Sequence, residues 1–201
     1  MGLIEQIIAA GSDNADHFLK GVHGAFTGGY RIQQDHEEFA KLIAVLREYG
    51  PYHNALSIGI AAGGNERFLL EHIKVDSLAV IDDGKHPAHR FWESQNKPAI
   101  QIPVFDHIGD SHSKKAKTFL KELGIKFDLV AIDGDHSPAG VRMDWALIQP
   151  FLAPGAVVWL HDIAVGDQGQ TGAKELWMEL RKHHQVLLEV RKKFGIGVVR
   201  V

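Results

Sequence analysis

Two short apolar runs in the second half of the chain end in side chains able to carry charge. FDLVAIDGDHSPAG closes on Asp133 and His136, and PGAVVWLHDI closes on His161 and Asp162. Each run has the length of a buried strand, and parallel strands deliver the side chains at their ends to one carboxyl edge. Two carboxylates and two imidazoles gathered there have two chemical uses. They can ligate a divalent cation through oxygen and nitrogen, or they can accept and carry a proton near neutrality. Plainer roles compete: Asp133 as a turn cap, His136 bonded to a backbone carbonyl, and His161 with Asp162 fixing a loop.

The rest of the composition narrows the chemistry. The 201 residues, 45% of them apolar, suffice for one substantial core. The chain has no cysteine, which removes disulfides, zinc–thiolate centres and thiol nucleophiles, so any metal must use oxygen or imidazole. The formal charge of -3 does not favour a broad nucleic-acid surface. Lys114, Lys115 and Lys117, and Arg191, Lys192 and Lys193, are short runs that read as solvated faces. No apolar stretch approaches the roughly 18 residues of a membrane span, and no basic flank precedes the apolar N-terminal residues. A soluble, cytoplasmic protein is expected, with no membrane or nucleic-acid partner; a homo-oligomer is left open.

The elements that must position the four residues follow from hydrophobic period. Residues 1–50 read as a helical extension, with Leu3, Ile7 and Ile8 on a short amphipathic helix. Phe39, Leu42, Ile43 and Leu46 form one face of a second helix, ended by Gly50 and Pro51. After Pro51, seven strand candidates alternate with helices: NALSIGIAAG, SLAVIDDG, AIQIPVFDH, FDLVAIDG, PGAVVWLHDI, QVLLEVRK and GIGVVRV. The helices are expected to begin near Gly64, His86, Ser113, Ser137 and Thr171. This alternation implies an α/β fold, a Rossmann-like, mostly parallel sheet with helices on both faces. KKFG, between the last two strands, is too short for a crossover helix, so the sheet should end in an antiparallel hairpin.

Three successive strand ends carry further polar features. LSIGIAAGGN sets Gly59, Ala61, Gly63 and Gly64 after the first strand, in a G-x-A-x-G-G turn that differs from the G-x-G-x-x-G pyrophosphate fingerprint. Asp82 and Asp83 end the second strand, where a carboxylate can accept both hydroxyl protons of a ribose; Asp82 follows the apolar run directly. Asp110 and Ser111 end the third, suited to an adenine edge or to capping the next helix. Together the three loops describe an adenosine pocket better than any does separately.

These segments resemble the class I S-adenosylmethionine-dependent methyltransferases. The likeness is to the branch of metal-assisted sugar and antibiotic-biosynthesis O-methyltransferases, and it covers residues 33–201. It rests on LSIGIAAGGN, LAVIDDG, HIGDS, FDLVAIDGDHSPAGVRMDW, LAPGAVVWLHDI, GAKELW and GIGVV, of which IDGDHS with LHDI is the specific part. The resemblance implies a seven-stranded sheet with a reversed final strand and S-adenosyl-L-methionine as cofactor. It implies cofactor contacts at Gly59, Ala61, Gly63, Asp82, Asp110, Ser111 and Asp133. It also implies a divalent cation (Mn, Fe or Mg) on Asp133, His161 and Asp162, with His136 as base beside Asp133 and Asp162 in catalysis. The partner implied is a small-molecule hydroxyl acceptor, walled by residues 1–50 as a cap on the domain at 51–201. Phe26, Tyr30 and Arg31 are candidate contacts, and GDQGQTG, residues 166–172, is a candidate lid.

Four positions depart from the family pattern. Ser57 stands where Glu is frequent, Ala61 replaces a usual Gly, and Asn65 replaces a frequent Ser. His161 replaces an acidic ligand; imidazole suits Mn, Fe, Co, Ni or Zn and is poor for Mg. The departures keep open a catalytically silent methyltransferase-like binding protein. An NAD-dependent oxidoreductase would explain the glycine turn and Asp82 but not the paired strand endings, and a metal hydrolase would leave the glycine turn without a purpose.

Overall fold

Burial on both faces organises the sheet. The computed structural model describes residues 1–11, 29–164 and 171–201; Phe26, His17, His23 and residues 166–170 of the lid candidate lie outside the described residues. Seven strands form one sheet: β1 (Tyr52–Ile58), β2 (Val75–Asp82), β3 (Val104–Ile108), β4 (Phe127–Ile132), β5 (Leu152–His161), β6 (Gln185–Val190) and β7 (Ile196–Arg200). Their order is β3-β2-β1-β4-β5-β7-β6, and β7 runs antiparallel to both of its neighbours. The pairings among β1 to β5 are parallel. The terminal hairpin inferred from KKFG is therefore present, with β7 inserted between β5 and β6.

Successive residues along each strand enter opposite cores, as the two-residue period requires. Ala55, Leu78, Leu129 and Trp159 face one side, while Leu56, Ala79, Val130 and Leu160 face the other. The first face is covered by α1 (Leu3–Ala10), α2 (His36–Tyr49) and α3 (Gly64–His72) through Ile7, Phe39, Leu42 and Phe68. The second is covered by α4 (Lys114–Leu123), α5 (Pro138–Ile148) and α6 (Gly172–His183) through Leu120, Val141, Ile148 and Trp177. Helix starts follow the expected capping chemistry: Ser113 accepts from the Ala116 amide, and Ser137 from the Gly140 amide with Pro138 in the first turn.

The helix expected near His86 takes another form. A turn over residues 86–89 leads into a π-helical turn at Trp92–Asn96 and a 3-10 turn at Lys97–Ala99. Pro87 and Pro98 bracket the segment and lack the amide a regular helix needs. Trp92, fully buried, packs so closely on Gly63 that a Cβ there would lie 2.2 Å from the ring.

The described residues of the N-terminal part pack into the first core, where Ile7, Ile32, Phe39, Leu42, Ile43 and Leu46 are all fully buried. One carboxylate anchors it to the end of the sheet. Glu38 of α2, fully buried, accepts the amides of Lys192 (2.7 Å), Lys193 (2.9 Å), Phe194 (3.2 Å) and Gly195 (3.0 Å), the connection between β6 and β7. Charge-assisted bonds to four amides compensate the desolvation of the carboxylate, and its removal orphans all four donors. Glu38→Ala should therefore lower stability by about 3 kcal/mol or more in urea unfolding. A loss below about 1 kcal/mol would show that the hairpin holds its turn without α2.

Candidate functional site

The five parallel strands end on one edge, and the side chains singled out from the sequence lie along it. The turn after β1 is tied to both neighbouring strands: the Gly59 amide donates to the Ile81 carbonyl (2.9 Å), and the Asp133 amide to the Ile58 carbonyl (2.8 Å). Gly59 has φ 78°, and a Cβ there would lie 2.1 Å from the Asp133 carbonyl oxygen. Close approach by the protein's own backbone thus already demands this glycine, and Trp92 demands Gly63 in the same way. Ala61 adopts φ 47°, a left-handed conformation that costs a residue with a Cβ.

Asp82 is buried beneath this turn. Its Oδ2 accepts the amides of Ile60 (2.8 Å) and Ala61 (3.2 Å), its Oδ1 accepts that of Gly84 (2.7 Å), and His89 Nδ1 stands 3.0 Å from Oδ1. The carboxylate expected to take a ribose therefore also shapes the glycine turn. Asp110 is largely exposed and accepts the His112 amide (2.9 Å). The Ser111 hydroxyl donates to Asp144 Oδ1 (2.7 Å), a fully buried carboxylate on α5 whose pKa burial raises. Ser111 consequently ties the β3 loop to α5.

Asp133, His136, His161 and Asp162 come together. Asp133 follows β4 directly, His136 lies in the loop before α5, and Asp162 follows β5 with φ 61°. His136 bridges the carboxylates: Nε2 is 3.4 Å from Asp133 Oδ1, and Nδ1 is 3.1 Å from Asp162 Oδ2. His161 Nδ1 lies 3.2 Å from Asp133 Oδ1 and 3.5 Å from Asp162 Oδ1. Donor atoms of Asp133, His136 and Asp162 fall within 4.8 Å of one another, a convergent set of two carboxylates and one imidazole. His161 stands behind it on the shared Asp133 oxygen.

Opposed forces set the charge of this cluster. Burial alone would raise Asp133, but the charge of His161 and hydrogen bonds from both histidines outweigh it and hold the carboxyl at about 2. The hydrogen bond to Asp133, with the charges of Asp133 and Asp162, lifts His136 to about 9 against its burial. Burial would lower His161, yet Asp133 raises it; burial raises Asp162, and the charge of Asp133 adds to that. Near neutrality, then, His136 carries a proton between the carboxylates.

Several residues of this edge carry no signature in the sequence. Gln34, fully buried, points Nε2 at Asp133 Oδ2 (3.4 Å) from the segment before α2. That segment lies over the glycine turn: the Gln33 amide donates to Asn65 Oδ1 (3.1 Å), and Asn96 donates to the carbonyls of Tyr30 (2.9 Å) and Ala62 (2.7 Å). Arg31 places its guanidinium 3.4 Å from the centre of the Phe91 ring. Thr171 and Gly172, at the end of the lid candidate, begin α6, and the Gly172 amide donates to the His136 carbonyl (3.1 Å).

This sheet order, with a glycine turn after β1 and polar side chains at the ends of β4 and β5, defines a Rossmann-like methyltransferase architecture, and solved structures share it. TomG, an O-methyltransferase from Streptomyces achromogenes involved in tomaymycin synthesis, in complex with SAM, superposes with TM-score 0.63 at 18% identity, covering 100% of this chain and 90% of that one. The N-methyltransferase NodS from Bradyrhizobium japonicum WM9, in complex with S-adenosyl-L-homocysteine, gives 0.63 at 16%, covering 98% and 95%. MycE, a methyltransferase of the mycinamycin biosynthetic pathway in complex with Mg, SAH and mycinamycin VI, gives 0.54 at 15%, covering 79% of this chain and 47% of that one. No curated protein matches by sequence. The family described as Methyltransferase domain matches residues 56–163, just over half of the chain. The chain belongs to that family and has the class I, S-adenosylmethionine-dependent methyltransferase fold.

The shifted groups give the cluster a pH signature. His136 is stabilising in its protonated form, so its contribution is full below pH 6.5 and fades as pH rises towards about 9. Asp133 contributes above pH 3.8 and loses that contribution as pH falls towards about 2. Chelator-treated protein should lose up to about 3 kcal/mol of unfolding free energy between these alkaline limits, and His136→Ala should flatten that limb. An unsubstituted protein whose stability is level from neutrality to pH 9 would contradict the cluster's charge assignment.

Proposed function

We propose that the protein methylates a hydroxyl group of a small molecule, with S-adenosyl-L-methionine as donor and a divalent cation assisting. The observation that carries this reading is the convergence of Asp133, His136 and Asp162 beside the glycine turn. Two carboxylates and an imidazole within one coordination span suit Mn or Fe, and two oxygens alone would suit Mg. For the donor, the fit rests on the left-handed turn at Gly59, Ala61 and Gly63, on Asp82 at the end of β2, and on Asp110 and Ser111 at the next loop.

Bound there, the donor supplies an electrophilic methyl on sulfur, and the cation supplies a Lewis acid for the acceptor oxygen. The chain's own residues do the rest. Asp133 and Asp162 would hold positive charge at the carboxyl edge with His161 completing their set, which leaves His136 for the acceptor's proton. His136 manages the acceptor's proton once its own has been displaced, since an imidazole held between two carboxylates is basic. Gln34 orients Asp133 through Oδ2. Residues 1–50 act as the acceptor-side cap, with Tyr30 and Arg31 close to the turn.

Oxygen as the methylated atom is supported by the site itself, because proton removal is the difficult part for a hydroxyl and the cluster is built for it. The cytoplasmic setting remains part of the proposal; no helix among the described residues is long and apolar enough to cross a membrane. A catalytically silent binding protein is favoured by one observation, the three backbone amides and the histidine that already surround Asp82.

Calorimetric titration with S-adenosylmethionine, S-adenosylhomocysteine and NAD should show binding of the first two alone. Transfer of labelled methyl to a panel of phenol, sugar and catechol acceptors should rise with added Mn, Fe or Mg and fall with chelator. Asp133→Asn, Asp162→Asn and His136→Ala should each lower kcat by at least about 100-fold. Donor binding without turnover on any acceptor or metal would favour the silent protein, and binding of NAD in its place would sink the proposal.

A further inference from the structure

Glu66 is a buried acid outside the cluster. It is the third residue of α3, and helical spacing sets it on the same face as Leu69, Leu70 and Ile73, against the sheet. Only 4% of it is exposed. It borders a cavity of about 20 Å³ that is otherwise lined by Ser57 and apolar side chains including Leu69, Leu78, Leu129 and Trp159, room for about one water. Ser57, on the same cavity, lowers the carboxyl's pKa somewhat, while Glu66 Oε2 has no partner.

The charges that bear most on Glu66 are both negative. They are Asp82 and Asp133, at the ends of the two strands flanking β1. Burial, with those charges, pushes the Glu66 carboxyl up to about 8. Ser57 precedes the glycine turn and Glu66 follows it, so the cavity they share lies at the foot of that turn, and Glu66 is less exposed than Asp82. A cation arriving at that turn favours the ionised form of every carboxyl nearby. The proposed donor is cationic at sulfur, whereas its demethylated product is neutral there.

We propose that Glu66 is a positioning residue that senses the donor's positive sulfur: it is neutral in the empty protein and ionises when S-adenosylmethionine binds, but much less when S-adenosylhomocysteine does. The O–H bond of the carboxyl breaks, the proton passes to solvent, and the carboxylate remains under the turn. Binding energy then depends on the charge that the reaction removes, which favours donor capture and product release. The inference rests on the proposed donor, and its test separates the two.

Calorimetry at pH 7 in buffers of different ionisation enthalpy counts the protons released on binding. The unsubstituted protein should release more protons with S-adenosylmethionine than with S-adenosylhomocysteine, and donor affinity should rise as pH increases towards about 8. Glu66→Gln should abolish the difference and weaken donor binding about tenfold while leaving product binding within about twofold. Infrared difference spectra of the unsubstituted protein should show a protonated buried carboxyl that vanishes on adding donor, a readout that needs no variant to fold. Equal proton release for the two ligands, or an unchanged carboxyl band on donor addition, would overturn the role of Glu66 while leaving the donor assignment intact. Failure of both ligands to bind would remove the donor and this inference together.

Discussion

Everything at the carboxyl edge depends on how Asp133 and Asp162 tolerate each other. They end neighbouring strands, and the shared register of β4 and β5, with Ile132 opposite Leu160, brings both to one place. Two like charges in a partly dehydrated site are expensive unless a positive group lies between them. His136 is that group, with a nitrogen facing each carboxylate, and His161 adds a second imidazole to the same Asp133 oxygen. A carboxylate pair that needs a positive partner will accept a proton on imidazole or a divalent cation, and the two compete for the same oxygens. The cluster is thereby suited to chemistry in which positive charge arrives and a proton leaves.

The glycine turn obeys a related constraint. Its conformation is dictated from three sides: by the backbone of Asp133 at Gly59, by Trp92 at Gly63, and by the Tyr30 carbonyl against Gly64. Asp82 then gathers the turn's amides from below. A ligand settling on this edge finds a prearranged surface and spends little of its binding energy on ordering it. The same packing couples the turn to the N-terminal segment, because the Gln33 amide donates to Asn65 and the next residue, Gln34, reaches Asp133.

The strands were legible because each is a short apolar run bounded by turn residues; all seven exist, though the third, expected over AIQIPVFDH, begins only at Val104. The reversed β7 was legible for a steric reason, since KKFG cannot carry a crossover. The region after His86 was not: its apolar spacing resembles a helix, but Pro87, Pro98 and the seating of Trp92 on Gly63 are tertiary facts that override local period. The four cluster residues could be found because strand ends share an edge. Gln34, Glu38 and Asp144 could not, since a buried polar side chain is recognised by its partners, and those lie 99, 157 and 33 positions away. Glu66 left one trace, a carboxyl in register with Leu69, Leu70 and Ile73 on an apolar helix face.

That trace bears on the departure at Ser57. A carboxylate at the end of β1 would point into the first core, the side to which Ala55 belongs. Ser57 carries no charge, but it lines one cavity with Glu66, which reaches the same place from α3. The acid is thus supplied by the helix while the strand keeps a small hydroxyl side chain, and the glycine turn still lies above a carboxyl group. Loss of a carboxylate from the strand is therefore weak evidence for loss of function. The stronger discriminator between a working and a silent site is the state of Asp82, whose acceptor positions must serve turn amides and ligand together. An ionised carboxylate offers about four lone-pair sites, and three amides account for three of them. The fourth is faced by His89, so a ribose hydroxyl gains access to Asp82 if that imidazole turns aside.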